Sequence, residues 1–456
     1  MVERIDDDGI WYQYTAPAAV QQGEKTFFGR VTGGNNGHID VGEFDHETGE
    51  VTFNRIESNF DYDDHASPSL LVRDDDHITV TYTEHHDTTC RVRISDDPLD
   101  ISSFGDAHTF TTDHSGLLTY PQPVQLSDED NRIYVFYRGT SGSTDREWCY
   151  RTSDDGGVTW NDESVLRENF SDWTDGIVNP YTVCISDGAR RIHFTSFNYE
   201  QLAEGGTPYD IYHWYYEDGS FYESDGTHIK DEGTPLNSSD EPTTVDGSDD
   251  VNIWDIALDD NGNPVIVYVK YQDYDTSHIY KYARWTGSAW ETNDIVDSGG
   301  PVADADGREW YSGGVRLNQT DPSVVYTAEE ETDGVFHVYK YSTDDGGSIW
   351  TEEAEYVGLD GEKNFRPRYP RNASEEHLEV LFVAGWYEDL RDYDTGVYGE
   401  VGVSPEVTEF IGDVGGRRRS LFANVDAVAA LADDQARKVS KAVVRKGGKL
   451  REVFRR

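Results

Sequence analysis

The chain has 456 residues, and 38 Lys plus Arg against 89 Asp plus Glu give a formal net charge of -51. A polyanion of this strength repels nucleic acid, yet 11 Trp, 29 Tyr and 18 Phe supply the apolar area that a disordered acidic chain lacks. No apolar run is long enough to cross a membrane, and three widely spaced cysteines, Cys90, Cys149 and Cys184, have no CxxC pair that would indicate a disulfide framework or zinc module.

At the N-terminus, residues 1–8 show no basic region followed by an apolar run, so no signal peptide is expected. From there the chain reads as strands. Alternating apolar runs at residues 25–32, 77–85, 132–139, 191–198, 264–271, 322–329 and 377–386 start 52, 55, 59, 73, 58 and 55 residues apart. Six are followed closely by a second alternating run, which predicts hairpins. Several are preceded by a short apolar strand, as at residues 68–72, 123–126 and 254–258. Three or four strands per unit, repeated seven times, predict an all-β, seven-bladed β-propeller over residues 1–412. The widest spacing coincides with residues 207–250, rich in Gly, Ser, Thr and acidic residues, where a long loop over one face is expected.

Two turns are more specific. Ser153, Asp155, Gly157, Thr159 and Trp160 complete an Asp-box pattern, and Thr343, Asp345, Gly347 and Trp350 repeat it with two conservative departures. The carboxylate can cap turn amides, Gly permits positive φ, and Trp packs the hairpin onto its blade, so Ser153, Asp155, Gly157, Trp160, Asp345, Gly347 and Trp350 read as structural staples.

The full Asp box at residues 153–160, with the segments at residues 63–70, 82–85, 119–123, 134–139 and 191–194, resembles BNR-repeat propellers, particularly the branch of polysaccharide lyases acting on ulvan-type uronic-acid polymers. The resemblance spans residues 11–198; residues 200–410 match only as generic blades. It implies that His65 and Tyr120 form a proton-transfer pair, that Arg138 grips the uronate carboxylate, and that His85 and His193 assist at the subsite. β-Elimination needs a cation at the carboxylate, a base for the adjacent ring proton and an acid for the leaving oxygen, and Arg, His and Tyr supply those functions. Which of His65 and Tyr120 is the base stays open. Each residue also has a plain structural alternative: His65 pinning a turn, Tyr120 as a blade tyrosine, Arg138 paired with a carboxylate. No metal site and no cofactor are assigned, with a structural cation left open.

Residues 413–456 change character. From 417 onward 12 Lys or Arg face 4 Asp or Glu, and Leu421, Val425, Val428, Ala432 and Val439 mark one face of an expected basic amphipathic helix, a docking module for an acidic protein partner or a second copy. The abundance of carboxylates over ten lysines resembles proteins of salt-loving archaea and their viruses. Two functions follow as expectations: a lyase cutting uronate-containing surface or extracellular glycan, or a non-catalytic glycan-binding propeller mounted through its tail on an assembly such as a virion, for receptor binding or decoration. Both place the protein outside the cell or on a virion surface.

Overall fold

A computed structural model describes residues 2–455 except 34–35, 114–115, 142–144, 172–176, 203–204, 241, 333, 374–377, 402–407, 415–416, 424–440 and 447–448. Each of the seven alternating runs is a strand, from Lys25–Thr32 to Leu378–Asp389. Each pairs antiparallel with the first full strand of its group, which is shorter or more buried: Ala19–Gln22, Ser69–Val72, Leu117–Leu126, Ile177–Ser186 (itself flanked by the two-residue Phe170–Ser171), Val251–Leu258, Val315–Leu317 and Lys363–Arg368. These first strands neighbour one another in chain order, and Val20 bridges to Arg371 to bring the first group against the last. The sheets therefore stand radially around a central axis, as in a propeller.

Three features depart from the sequence expectations. Residues 207–250 are not one long loop. Gly205–Glu217, Ser220–Glu223, His228–Asp231 and Thr243–Asp249 are strands that enlarge the fourth sheet. Ile211, Trp214, Tyr216 and Phe221 give these strands a buried face, and Asp218 and Gly219, both at positive φ, form the tight turn between the first two. Secondly, the acidic N-terminus is a strand. Val2–Asp6 pairs antiparallel with Asp392–Val401 and supplies the fourth strand of the last group. Thirdly, the expected tail helix is not found where the tail is described. Arg417–Ala423 is a strand paired with Thr408–Val414, and Lys441–Lys446 forms a hairpin with Lys449–Arg455. A Gly-Gly pair between two alternating runs is a hairpin signal strong enough to compete with helical spacing; Val425, Val428, Ala432 and Val439 lie outside the described residues.

Residues 11–18 run along the axis and plug it. Arg366 donates to the Trp11 carbonyl (2.8 Å), Arg316 to that of Gln13 (2.7 Å) and Gln122 to that of Tyr14 (3.1 Å), while the Leu70 and Gly29 amides take Pro17 and Ala18 (2.8 and 2.9 Å). The plug thus has its backbone acceptors satisfied by several different sheets, which fixes an irregular segment in a buried place.

Both Asp boxes act as turns. Asp155 accepts from the amides of Val158 and Thr159 (3.2 and 2.8 Å) and from the Thr159 hydroxyl (2.6 Å), and Ser153 Oγ accepts from Gly157 N–H (2.9 Å). Asp345 accepts from Ile349 N–H (2.9 Å), and Thr343 takes the serine's place toward Gly347 (2.9 Å). The tryptophans pack sideways onto the preceding sheet: Trp160 on Phe110 (5.0 Å between centroids), Trp350 on Tyr282 (5.1 Å). The staple therefore joins neighbouring sheets as well as closing its own hairpin.

Candidate active site

At one end of the plug lies a cavity of about 200 Å³ whose walls include Tyr12, His65, His85, Tyr120, Arg138 and Tyr181. Four of the five sequence candidates meet there. His193 does not. It pairs with Ile185 and Tyr215 and hydrogen-bonds His213 (3.2 Å), whereas the same strand reaches the cavity only with Phe197 and Tyr199. At roughly 3.3 Å per residue, His193 sits well down the strand, where burial lowers its pKa to about 4 and it packs as a neutral ring. Resemblance of repeats placed it on the right strand and at the wrong depth.

His65 enters the cavity from the 3-10 turn Asp64–Ala66, which Asp63 caps by accepting the His65 amide (3.0 Å). Its imidazole is stacked between Tyr12 (3.7 Å between centroids) and His85 (4.3 Å). Nδ1 faces both Asp64 Oδ1 and Asp63 Oδ1, the latter at 2.9 Å. Burial disfavours the imidazolium, but the carboxylates of Asp64 and Asp63 outweigh it and raise the His65 pKa above its ordinary value. Asp64 is in turn held by Arg366 Nη1 and the Tyr387 hydroxyl, both 2.7 Å from Oδ2. Burial would favour a protonated Asp64; Arg366 and His65 reverse this and keep it ionised. The result is a relay from Arg366 through Asp64 to His65 Nδ1, with Nε2 the nitrogen left without a hydrogen-bond partner among the described residues.

His85 behaves differently. Its Nδ1 donates to Asp63 Oδ2 (2.8 Å), and burial, with the neighbouring His65 charge, lowers its pKa to about 4. It is a neutral ring beside a charged one. The ligand-type atoms of Asp63, His65 and His85 lie within 4.8 Å of one another. Both Nδ1 atoms are already spent on carboxylates, and Arg391 Nε adds a positive charge 3.0 Å from Asp63. The donor set is built as a proton-handling relay and suits a cation poorly.

Tyr120 owes its place to a bulge. The register between Leu117–Leu126 and Arg132–Ser141 slips after Thr119, and Tyr120 sits at φ 61°, a left-handed conformation costly for an aromatic residue. The bulge turns the ring to the cavity, where Arg138 lies over it (4.6 Å). Its hydroxyl has no hydrogen-bond partner among the described residues, and burial pushes its pKa well up despite Arg138.

Arg138 is almost wholly buried, yet no carboxylate pairs with it among the described residues. It donates instead to Tyr181 OH (2.9 Å), His86 Nε2 (2.9 Å) and Thr119 Oγ1 (3.3 Å). Accepting from Arg138 requires a lone pair on His86 Nε2; burial and Arg138 lower the His86 pKa to about 3, so the ring is neutral. Tyr181, absent from the sequence-based set, accepts from Arg138 and from Arg146 Nη1. Burial would raise its pKa, but the two guanidinium groups outweigh burial and lower it. Arg308, Trp310 and Tyr311 complete the far wall, with Tyr199 stacked on Trp310 (5.6 Å). Arg146 and Trp310 stand outside any repeat motif, so only the fold could have revealed them.

Three arginines and a raised-pKa histidine thus line a cavity with no carboxylate among the described residues of its walls, in a chain of net charge -51. That contrast selects an anionic ligand, and the aromatic wall suits the face of a sugar ring.

A model of the BNR repeat-containing family matches residues 18–298. Among solved structures, the chain is similar to a PL25 polysaccharide lyase, an ulvan lyase, with a TM-score of 0.68 at 17% identity over 88% of this chain and 95% of that one. A structure of PL25 ulvan lyase bound to -[GlcA(1-4)Rha3S]- matches with the same values. The polysaccharide lyase Uly1 matches at TM-score 0.54 and 12% identity, over 88% and 97% of the two chains. No curated protein sequence matches the chain.

Proposed function

The chain belongs to the BNR repeat-containing family, and from that premise we propose that it is a seven-bladed propeller that cleaves a uronate-containing polysaccharide by β-elimination. The observation that carries the reading is the buried Arg138, free of any carboxylate partner among the described residues and aimed, with Arg146, at a cavity containing a proton relay. The lyase relatives add to it, one of them bound to a glucuronate-containing fragment.

In this reading Arg138 and Arg146 neutralise the uronate carboxylate and so acidify the C5 proton. Tyr181 accepts from both and holds their forks in place. His65 Nε2, once unprotonated, takes the C5 proton, while Nδ1–H stays on the carboxylates and the imidazolium that forms is stabilised by Asp64. The electron pair forms the C4–C5 double bond, the C4–O bond breaks, and the Tyr120 hydroxyl donates its proton to the leaving oxygen. Proton transfer back between Tyr120 and His65 through water restores the site. Tyr12, Tyr199 and Trp310 supply stacking surface, and His85 orients Asp63.

The test is ultraviolet detection of unsaturated uronate product from uronate-rich glycans in high salt. Wild type should form product, and Tyr120→Phe should lose about 10²–10⁴-fold in kcat with little change in stability, since its hydroxyl has no hydrogen-bond partner among the described residues. Glycan binding without product in either protein would reject catalysis and leave a glycan-binding propeller.

A further inference from the structure

Further along the plug, past Tyr14, residues 15–19 line a second, much smaller cavity of about 20 Å³ together with Arg316, Arg368, Arg371 and Asp255. Three guanidinium groups here face one carboxylate. Asp255 lies 3.4 Å from Arg316 Nη1, and its Oδ2 is already engaged by the Leu317 amide (3.2 Å) and Gln319 Nε2 (3.0 Å). Arg316 gives its two terminal nitrogens to the carbonyls of Trp254 (2.6 Å) and Gln13 (2.7 Å). Arg371 gives Nη2 to the Cys184 carbonyl (2.9 Å). Arg368 is the least satisfied. It is 95% buried, spends Nη2 on the Tyr12 carbonyl, and among the described residues leaves Nε and Nη1 with no partner, while Arg316 leaves only Nε.

A buried guanidinium with two unsatisfied nitrogens beside two further arginines is costly unless a compensating charge arrives. The chain as a whole has a large excess of acids, yet only one stands here. We propose that this cavity is a site for one monatomic anion, a halide, held by Arg368 with Arg316 and Arg371. The space of about 20 Å³ is on the scale of one water-sized particle, which matches a single chloride or bromide, and the three guanidinium groups favour that anion over a neutral water. The role is structural: the ion would tie the inner strand Lys363–Arg368 to the plug and to Val315–Leu317. It does not depend on the lyase reading.

Two measurements on the full chain test it. In thermal melts at fixed sodium and ionic strength, replacing gluconate by chloride should give a saturable rise in Tm of about 2–4 °C, and Arg368→Met should abolish the chloride-specific part. In crystals of the wild type grown or soaked in bromide, anomalous scattering should place a bromide within hydrogen-bond distance of Arg368. Equal melting in chloride and gluconate overturns the proposal, as does a cavity without a bromide peak, whether or not Arg368→Met folds.

Discussion

His65 shows how an environment assigns a role that a residue name does not. A histidine after two aspartates reads as a turn residue or as a catalytic one with equal ease. The structure shows the turn role, with Asp63 capping it, and adds two carboxylates that hold Nδ1, an environment that suits the proposed proton transfer. The consequence for rate has a definite sign. The His65 pKa is raised above the ordinary value by Asp64 and Asp63, so at low pH Nε2 is protonated and cannot accept the C5 proton. With His65 as base, kcat/KM should rise with pH through an apparent pKa above the ordinary histidine value of about 6.5. A rate that falls through that pKa would instead make His65 the acid and move the base elsewhere. Asp64→Asn should shift the limb to lower pH, a change that lost packing alone would not produce. His65, His85, Tyr120 and Arg138 were legible because each lies within a recognisable segment. Tyr181, Arg146 and Arg366 were not, since nothing in a strand sequence says which side chain reaches the axis. His193 failed for the converse reason: a motif marks a strand, while depth along it is set by register.

At the scale of elements, alternation was the reliable signal, and it located every second strand, although those strands are buried over most of their length between their neighbours. It was weakest where pairing partners are distant in sequence. Val2–Asp6 is acidic and short, and becomes a strand only because Asp392–Val401 offers an open edge. Residues 11–18 carry no periodicity at all, their order coming from arginine and amide donors on the surrounding sheets. The fourth sheet was misread because polar turn residues outnumber the apolar ones that form its buried face. The closing strand has a measurable weight. Deleting residues 1–6 removes four ladder pairs and the buried Ile5 and exposes the edge of Asp392–Val401. It should cost about 3–5 kcal/mol in chemical denaturation and promote edge-to-edge association visible by light scattering. Unchanged stability would mean that the ring closes without this strand.

The whole molecule carries its charge unevenly, with a net charge of -51 but arginines gathered at two cavities along the axis, and five of its histidines are shifted toward the neutral form. His85 and His193 have pKa values lowered to about 4 and His86 to about 3, and His213 and His278 are lowered as well, in every case first by burial. In the unfolded chain each would titrate near about 6.5. Between about 6.5 and 4 the unfolded state therefore binds protons that the folded state refuses, and stability falls as pH falls. His65 acts in the opposite sense. Its raised pKa gives stability fully present below the unfolded value and lost as pH rises through the folded one. The depressed group is the larger, so the acid limb dominates. Asp63 and Asp64, both lowered, add a further loss below the ordinary carboxylate range. Mutual repulsion of surface carboxylates would blur this at low ionic strength, but molar salt shortens its reach to about 3 Å. Melting curves in molar sodium chloride should therefore show Tm declining from about pH 6.5 downward, ahead of carboxylate titration. His86→Gln, which removes one refused proton near the surface of the site, should flatten that decline. A Tm constant from pH 6.5 to 4 would show that these rings are protonated in the folded state, and would remove the neutral His86 on which the orientation of Arg138 rests.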